Sequence, residues 1–190
     1  MNSRTTLLLL VVSVALGLAL YWLPGTATPS EAEVPAPQDI TVLSHDSRQV
    51  TELEAVNANN QTLQVWRNGD NWDIQIDERV AGDTIVIGPT IANIAGLRAT
   101  TVITPEKQTL ADYGLDAPQL VITLQGEAGL LDRLRVGSRN PSGGARYVQV
   151  EGQPQIYLVD DIALDTLESW YTTVPVAPTP LPTLVPTTAP

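Results

Sequence analysis

Within Thr62–Asn68 and Asn71–Asp77 the apolar residues return at every second position, and between Ile87 and Leu97 they return at every third or fourth. This change of period constrains the fold more than any other feature. A period of two puts alternate side chains on opposite faces of a strand, and a period near 3.6 puts them along one side of a helix. "TLQVWRN" (Thr62–Asn68) alternates Leu63, Val65 and Arg67 against Gln64 and Trp66. "NWDIQID" (Asn71–Asp77) alternates Trp72, Ile74 and Ile76 against Asp73, Gln75 and Asp77. Asn68-Gly69-Asp70 joins them as a hairpin, because Asn and Gly tolerate positive φ. "QVTELEAVN" (Gln49–Asn57) precedes them with a weaker alternation of Val50, Leu53 and Val56, and Asn59-Asn60 makes the intervening turn.

The helical stripe is Ile87, Ile91, Ile94 and Leu97, in a helix ending near Arg98. Two starts fit: Asp83 as N-cap, or Pro89 at the first helical position after Gly88. Strands resume after "TTVIT" and the turn at 112–118, as "QLVITLQ" (Gln119–Gln125), "LDRLRVG" (Leu131–Gly137), "RYVQVEG" (Arg146–Gly152) and "QIYLVD" (Gln155–Asp160). A second helix follows, with Ile162, Leu164, Leu167 and Trp170 on one face and Asp160 or Asp161 at its N-terminus. The expected fold class is therefore α+β: antiparallel β meanders, each followed by a helix. Residues 50–98 and 119–171 read alike, as a tandem repeat of two half-domains or as two coincidentally similar meanders.

The ends read differently. Thr5 to Leu23 is an uncharged stretch whose 19 residues would make roughly 28 Å of helix, close to a bilayer's hydrocarbon thickness. Tyr21 and Trp22 suit an interfacial belt, and Arg4 on one side with Glu31 and Glu33 on the other sets the N-terminus in the cytoplasm. Residues 1–23 thus read as a signal-anchor or transmembrane helix with the domain outside the cytoplasm. The alternative is a secretory signal cleaved near Ala27 or Ala32. Residues 24–38 are a Pro/Ala-rich linker, 39–171 the domain, and 172–190 a Pro/Thr-rich tail expected to be disordered or extended, with threonines open to glycosylation.

The chain has 190 residues, no cysteine and a formal net charge of −11. Thiolate metal sites and cysteine nucleophiles are excluded, and the acidic balance argues against nucleic acid as a partner. His45 is the only histidine, with no partner fixed by its neighbours. Asp161, Asp165 and Glu168 share a helix face with Asp160 beside them, so a divalent cation is one reading. The competing reading is the ordinary preference for acids near a helix start. "GSRNPSGGAR" (Gly137–Arg146) joins two strands rather than a strand and a helix. It reads as a hairpin loop or a contact loop rather than a phosphate cradle. Trp66 and Trp72 are either packed across their hairpin or part of an exposed surface. No Ser-His-Asp set, Gly-x-Ser-x-Gly elbow or P-loop is present, so no catalytic, cofactor-binding or metal residues are assigned.

The stretch "DYGLDAPQLVITL", with "GDNWDI", "GLRA", "RVG" before a glycine loop and "RYVQVEG", resembles the bacterial domain-of-unknown-function family 4340 over roughly Val50 to Trp170. The resemblance implies an exported or membrane-anchored domain, and some members look like auxiliary parts of ABC-type transport or gliding-motility systems. The family carries no established catalytic residues, and the Pro/Thr tail lies outside the shared pattern. Two functions follow as expectations. The first is a membrane-anchored extracytoplasmic interaction module with a protein partner in the cell envelope. The second is a domain that binds a small ligand, a glycan or a divalent cation. Within the turn itself, Gly114 is expected to take a left-handed φ, Leu115 and Tyr113 to plug the core, and Pro118 to hold Ala117 extended ahead of the strand.

Overall fold

The computed structural model describes residues 39–104 and 109–179. The apolar run Thr5–Leu23, the linker 24–38 and the end of the tail lie outside the described residues. Among the described residues no helix is long and apolar enough to cross a membrane.

Ten strands form one antiparallel sheet. In chain order they are β1 (Ile40–Thr41), β2 (Val50–Asn57), β3 (Thr62–Asn68), β4 (Asn71–Gln75), β5 (Arg79–Gly82), β6 (Arg98–Ile103), β7 (Leu120–Gly126), β8 (Gly129–Arg139), β9 (Ala145–Val150) and β10 (Ile156–Asp160). Helix α1 (Thr84–Ala95) follows β5 and helix α2 (Ile162–Ser169) follows β10. The spatial order is β1-β6-β10-β9-β8-β7-β2-β3-β4-β5.

This corrects the expected fold class. There are not two half-domains, each with its own meander and helix. β2 pairs with β7 from Val50↔Gly126 to Asn57↔Leu120, so the two runs of strands merge into one sheet. Leu53 lies against Leu124, and Ala55 against Ile122. Each meander alone would leave a strand edge of unpaired N–H and C=O groups, and joining the two removes both edges. β6 leaves the end of α1 and crosses to pair with β10. The two helices are short and touch each other over one face of the sheet. Beneath them Leu53, Leu63, Val65, Ile74, Ile122, Leu124, Leu134, Val136 and Val148 meet Ile87, Ile91, Ile94, Leu164, Leu167 and Trp170 in a single core.

Local signals are realised where backbone geometry required them. The β3–β4 hairpin turns through Gly69 at φ +62°, with Asn68 opposite Asn71. α1 starts at the earlier of its two candidate starts: Asp83 Oδ1 accepts from Ile85 N at 2.9 Å. Pro89 therefore sits inside the helix, more than a turn beyond the first helical position, Thr84, where proline is tolerated best. Ile162 departs from its expected inward face and is 69 % exposed. β5 had no clear signal, being four residues of which only Gly82 is buried. The proline-rich segment does not separate from the domain at residue 172. Asp83 N donates to Pro175 O at 2.8 Å and Ala177 N to Ala81 O at 2.9 Å, which lays the segment along the outer edge of β5.

Tyr171 ties that segment to the sheet, its hydroxyl donating to the Ala55 carbonyl at 2.6 Å. Burial, reinforced by Glu168 and Glu54, pushes its pKa up from the ordinary value of 10.0. The fold thus favours the neutral phenol. This contribution is complete below pH 10 and is lost as the pH climbs toward the raised folded value. We expect Tyr171→Phe to cost about 1 kcal/mol at pH 8. Urea unfolding at pH 8 and pH 11 should show the parent losing more stability than the variant.

Candidate functional site

The two charged stretches singled out in the sequence converge. Arg139 ends β8 and Arg146 lies in β9, either side of the loop in which Gly143 and Gly144 take φ of +77° and +73°. Arg146 points to the helix-covered face and is 2 % exposed. Its Nη1 donates to Glu168 Oε1 at 2.7 Å and to Gln119 Oε1 at 3.3 Å. Its Nη2 donates to Glu168 Oε2 at 2.6 Å and Asp165 Oδ1 at 2.8 Å. Arg139 donates to Asp161 Oδ2 at 2.5 Å and Asp165 Oδ2 at 2.6 Å. The hydrogen bond to Asp165, with the nearby acids, raises the already high Arg139 pKa.

Asp160 does separate work, its Oδ1 accepting from Ile162 N at 2.9 Å to start α2. The acids that suggested a cation site are thus turned inward on two guanidinium groups. A bidentate Arg–carboxylate pair has the planar match that an ammonium lacks. Among the described residues no group of three or more His, Asp or Glu side chains is placed to hold a metal ion. Spacing alone put Asp161, Asp165 and Glu168 on one face. Only the fold shows that this face meets β8 and β9.

His45 finds a partner 87 positions away: its Nε2 lies 2.5 Å from Asp132 Oδ2. Both side chains are about a quarter exposed, at 25 % and 26 %. The pair joins the loop before β2 to β8, and no neighbour of His45 in the sequence announced it.

Trp66 and Trp72 do not pair across their hairpin, because register sets Trp66 opposite Asp73 and Arg67 opposite Trp72. Trp72 faces the core at 2 % exposure under the Arg67 guanidinium, 4.3 Å from its ring centroid. Trp66 faces the other side of the sheet, half-buried, with the Arg79 guanidinium 4.7 Å from its ring centroid. Arg79 in turn donates to Asp73 Oδ2 at 2.7 Å. Around this stack the face carries Glu54 and Gln64, bonded at 3.1 Å, then Thr123, and Arg133 and Arg135 flanking Glu151.

At the β9–β10 end the same face is covered. The 3-10 turn Leu110–Tyr113 and Leu115 lie over Ile156, Tyr147 and Ile103. Gly114 has φ +68°, Asp112 Oδ2 accepts from Thr109 N at 2.7 Å, and Asp116 Oδ1 accepts from Ala117 N at 2.9 Å. The turn is therefore a cover for one end of the sheet, and among the described residues nothing covers the part that runs from β4 across β3, β2 and β7 to β8.

No curated protein and no solved structure matches the chain. The family model described as a domain of unknown function (DUF4340) matches residues 72–177. That span takes in the Trp72 hairpin strand, both helices, the covering turn and the whole Arg139–Arg146 network, more than half of the chain, and the protein belongs to the DUF4340 family.

Proposed function

We propose that this chain is a non-enzymatic interaction module. It is held at the cell membrane by Thr5–Leu23, with the N-terminus cytoplasmic and the folded domain outside. Its partner is a protein of the envelope, and its role is accessory to an ABC-type transport or other membrane complex. The observation that carries the reading is the uncovered sheet face centred on Trp66. The helices take one face, the 110–115 turn covers only one end of the other, and the rest presents an aromatic ring stacked by arginine among paired charges. Trp and Arg are the residues most often found as anchors of protein contacts, and a polar surround suits a non-obligate interface. The acids of α2 support the same reading over cation binding, since they are engaged by Arg139 and Arg146.

A photo-cross-linking amino acid placed at Gln64 or Thr123, with ultraviolet irradiation of intact cells, tests this. The same membrane protein should be captured from both positions, and Trp66→Ala should reduce its yield at least tenfold. Absence of any capture from either position, or a yield indifferent to Trp66→Ala, would overturn the assignment to this face.

A further inference from the structure

An open sheet has two outer edges, each a row of backbone N–H and C=O groups on which another chain can add a strand. Here the edge strands are β1 and β5. β1 is only two residues long, and a short edge strand is one way to blunt an edge. β5 is longer, and the chain's own segment Val174–Pro178 lies against it. Gly82 and Val176 face each other antiparallel, Asp83 N donates to Pro175 O, and Ala177 N donates to Ala81 O. The donors of this strap can be accounted for one by one. Pro175 and Pro178 have no N–H. Ala177 gives its N–H to β5, and Val176 N turns back on Val174 O at 3.0 Å. From Pro175 to Pro178 no N–H is left for a further strand.

We propose that Val174–Pro178 is an edge cap: it ends the sheet and keeps β5 from pairing with β5 of a second copy of the chain. The bare edge would present Ala81 O and Asp83 N. An antiparallel pair of β5 strands would exchange donors and acceptors symmetrically about a two-fold axis, so the edge fits itself. Every copy carries the same cap, and intact chains therefore cannot meet there. Pro175 suits the cap in a second way. It accepts from Asp83 N and has no N–H to compete for Asp83 O, which accepts from Val86 N and Ile87 N at 3.1 and 2.9 Å and so starts α1. Capping the edge and starting the helix thus use opposite sides of one residue.

The strap is anchored upstream by packing and downstream only by the ladder. Tyr171 and Val174 pack against the main core, and Tyr171 is tied to Ala55 by its hydroxyl. Val176 is 53 % exposed, so the bonds made by Pro175 O and Ala177 N are what hold the rest in place. Removing the Ala177 donor should therefore lift the cap and leave the domain folded. The family match runs to Ala177, which puts that donor inside the matched span and the remaining tail outside it. The inference concerns the edge of the sheet and does not depend on the role proposed for the Trp66 face.

Because the chain has no cysteine, one introduced thiol reports one place. Ala81 is exposed at the edge. Full-length A81C treated with a short bismaleimide should give little covalent dimer, and adding Ala177→Pro should raise the yield at least tenfold. Ending the A81C chain after Thr173 should raise it likewise, whereas ending it after Thr179, which keeps the strap, should not. S142C, in the exposed loop between β8 and β9, should cross-link no better with Ala177→Pro than without it. Circular dichroism of Ala177→Pro should match the parent. No rise at residue 81 once the cap is lifted, an equal rise at residue 142, or a rise on removing residues 180–190 alone would overturn the proposal. So would an unfolded Ala177→Pro, since the strap would then hold the fold together rather than cap its edge.

Discussion

Replacing Arg146 with methionine should lower the unfolding free energy by about 3 kcal/mol, the low end of what losing one partner of a buried ion pair costs. The guanidinium is almost fully enclosed between β9 and α2, while Asp165 and Glu168 keep 37 % and 31 % side-chain exposure. Water can therefore partly replace the lost charge at the carboxylates. What water cannot restore is the seam between α2 and the sheet, where one side chain donates to Gln119, Asp165 and Glu168 at once. Arg146→Lys should fall between parent and Met, since an ammonium keeps the charge without the planar fork. Arg139→Ala should cost far less, because its side chain is half in solvent and exposed pairs are weak. Urea denaturation of the four proteins measures this directly. Equal losses at 139 and 146 would show that burial of Arg146 is not what matters.

The second large effect lies at the turn over β9 and β10. Gly137→Ala would drive a methyl group into the Tyr113 carbonyl oxygen, with Leu115 Cγ also only 3.1 Å away. The carbonyl cannot retreat freely, because Gly114 N donates to Ala111 O at 3.0 Å and Leu115 N to Leu110 O at 2.9 Å. The expected cost is about 1–3 kcal/mol, typical of overpacking. Gly114→Ala should cost about 1–2 kcal/mol from its left-handed φ alone, plus the displacement of Ser138, whose Oγ occupies the space a Cβ needs. Both changes lift the same turn, so the double variant should lose less than the sum of the singles. Near-ultraviolet circular dichroism should report the loss of the edge-on contact between Tyr113 and Tyr147, whose ring centroids are 4.9 Å apart. Unchanged stability in Gly114→Ala would refute this account of the turn.

The candidate site was legible in parts and illegible as a whole. The acidic face of α2 and the two arginines around the glycine loop could each be read separately, because helical spacing and loop composition are local properties. Their meeting could not be read, since 19 residues of sequence separation between Arg146 and Asp165 say nothing about which strand passes beneath α2. The His45–Asp132 pair was out of reach for the same reason. Ile162 shows the complementary failure. Helical spacing alone assigned it to the stripe of Leu164, Leu167 and Trp170, but a first-turn residue near the edge of a stripe can lie on either side of the packed face.

By itself the sequence determined which side of each main strand is apolar, where Gly69 and Gly114 turn the chain, and which stripe of α1 is buried. These follow from Cβ geometry and allowed φ, which act over a few residues. Only the tertiary structure decided that β2 joins β7, turning two expected half-domains into one ten-stranded sheet. The ladder between strands is made by backbone N–H and C=O groups that are alike in every residue except proline. Choice of edge partner is therefore settled by how the whole apolar surface closes over one core, and no short pattern records it.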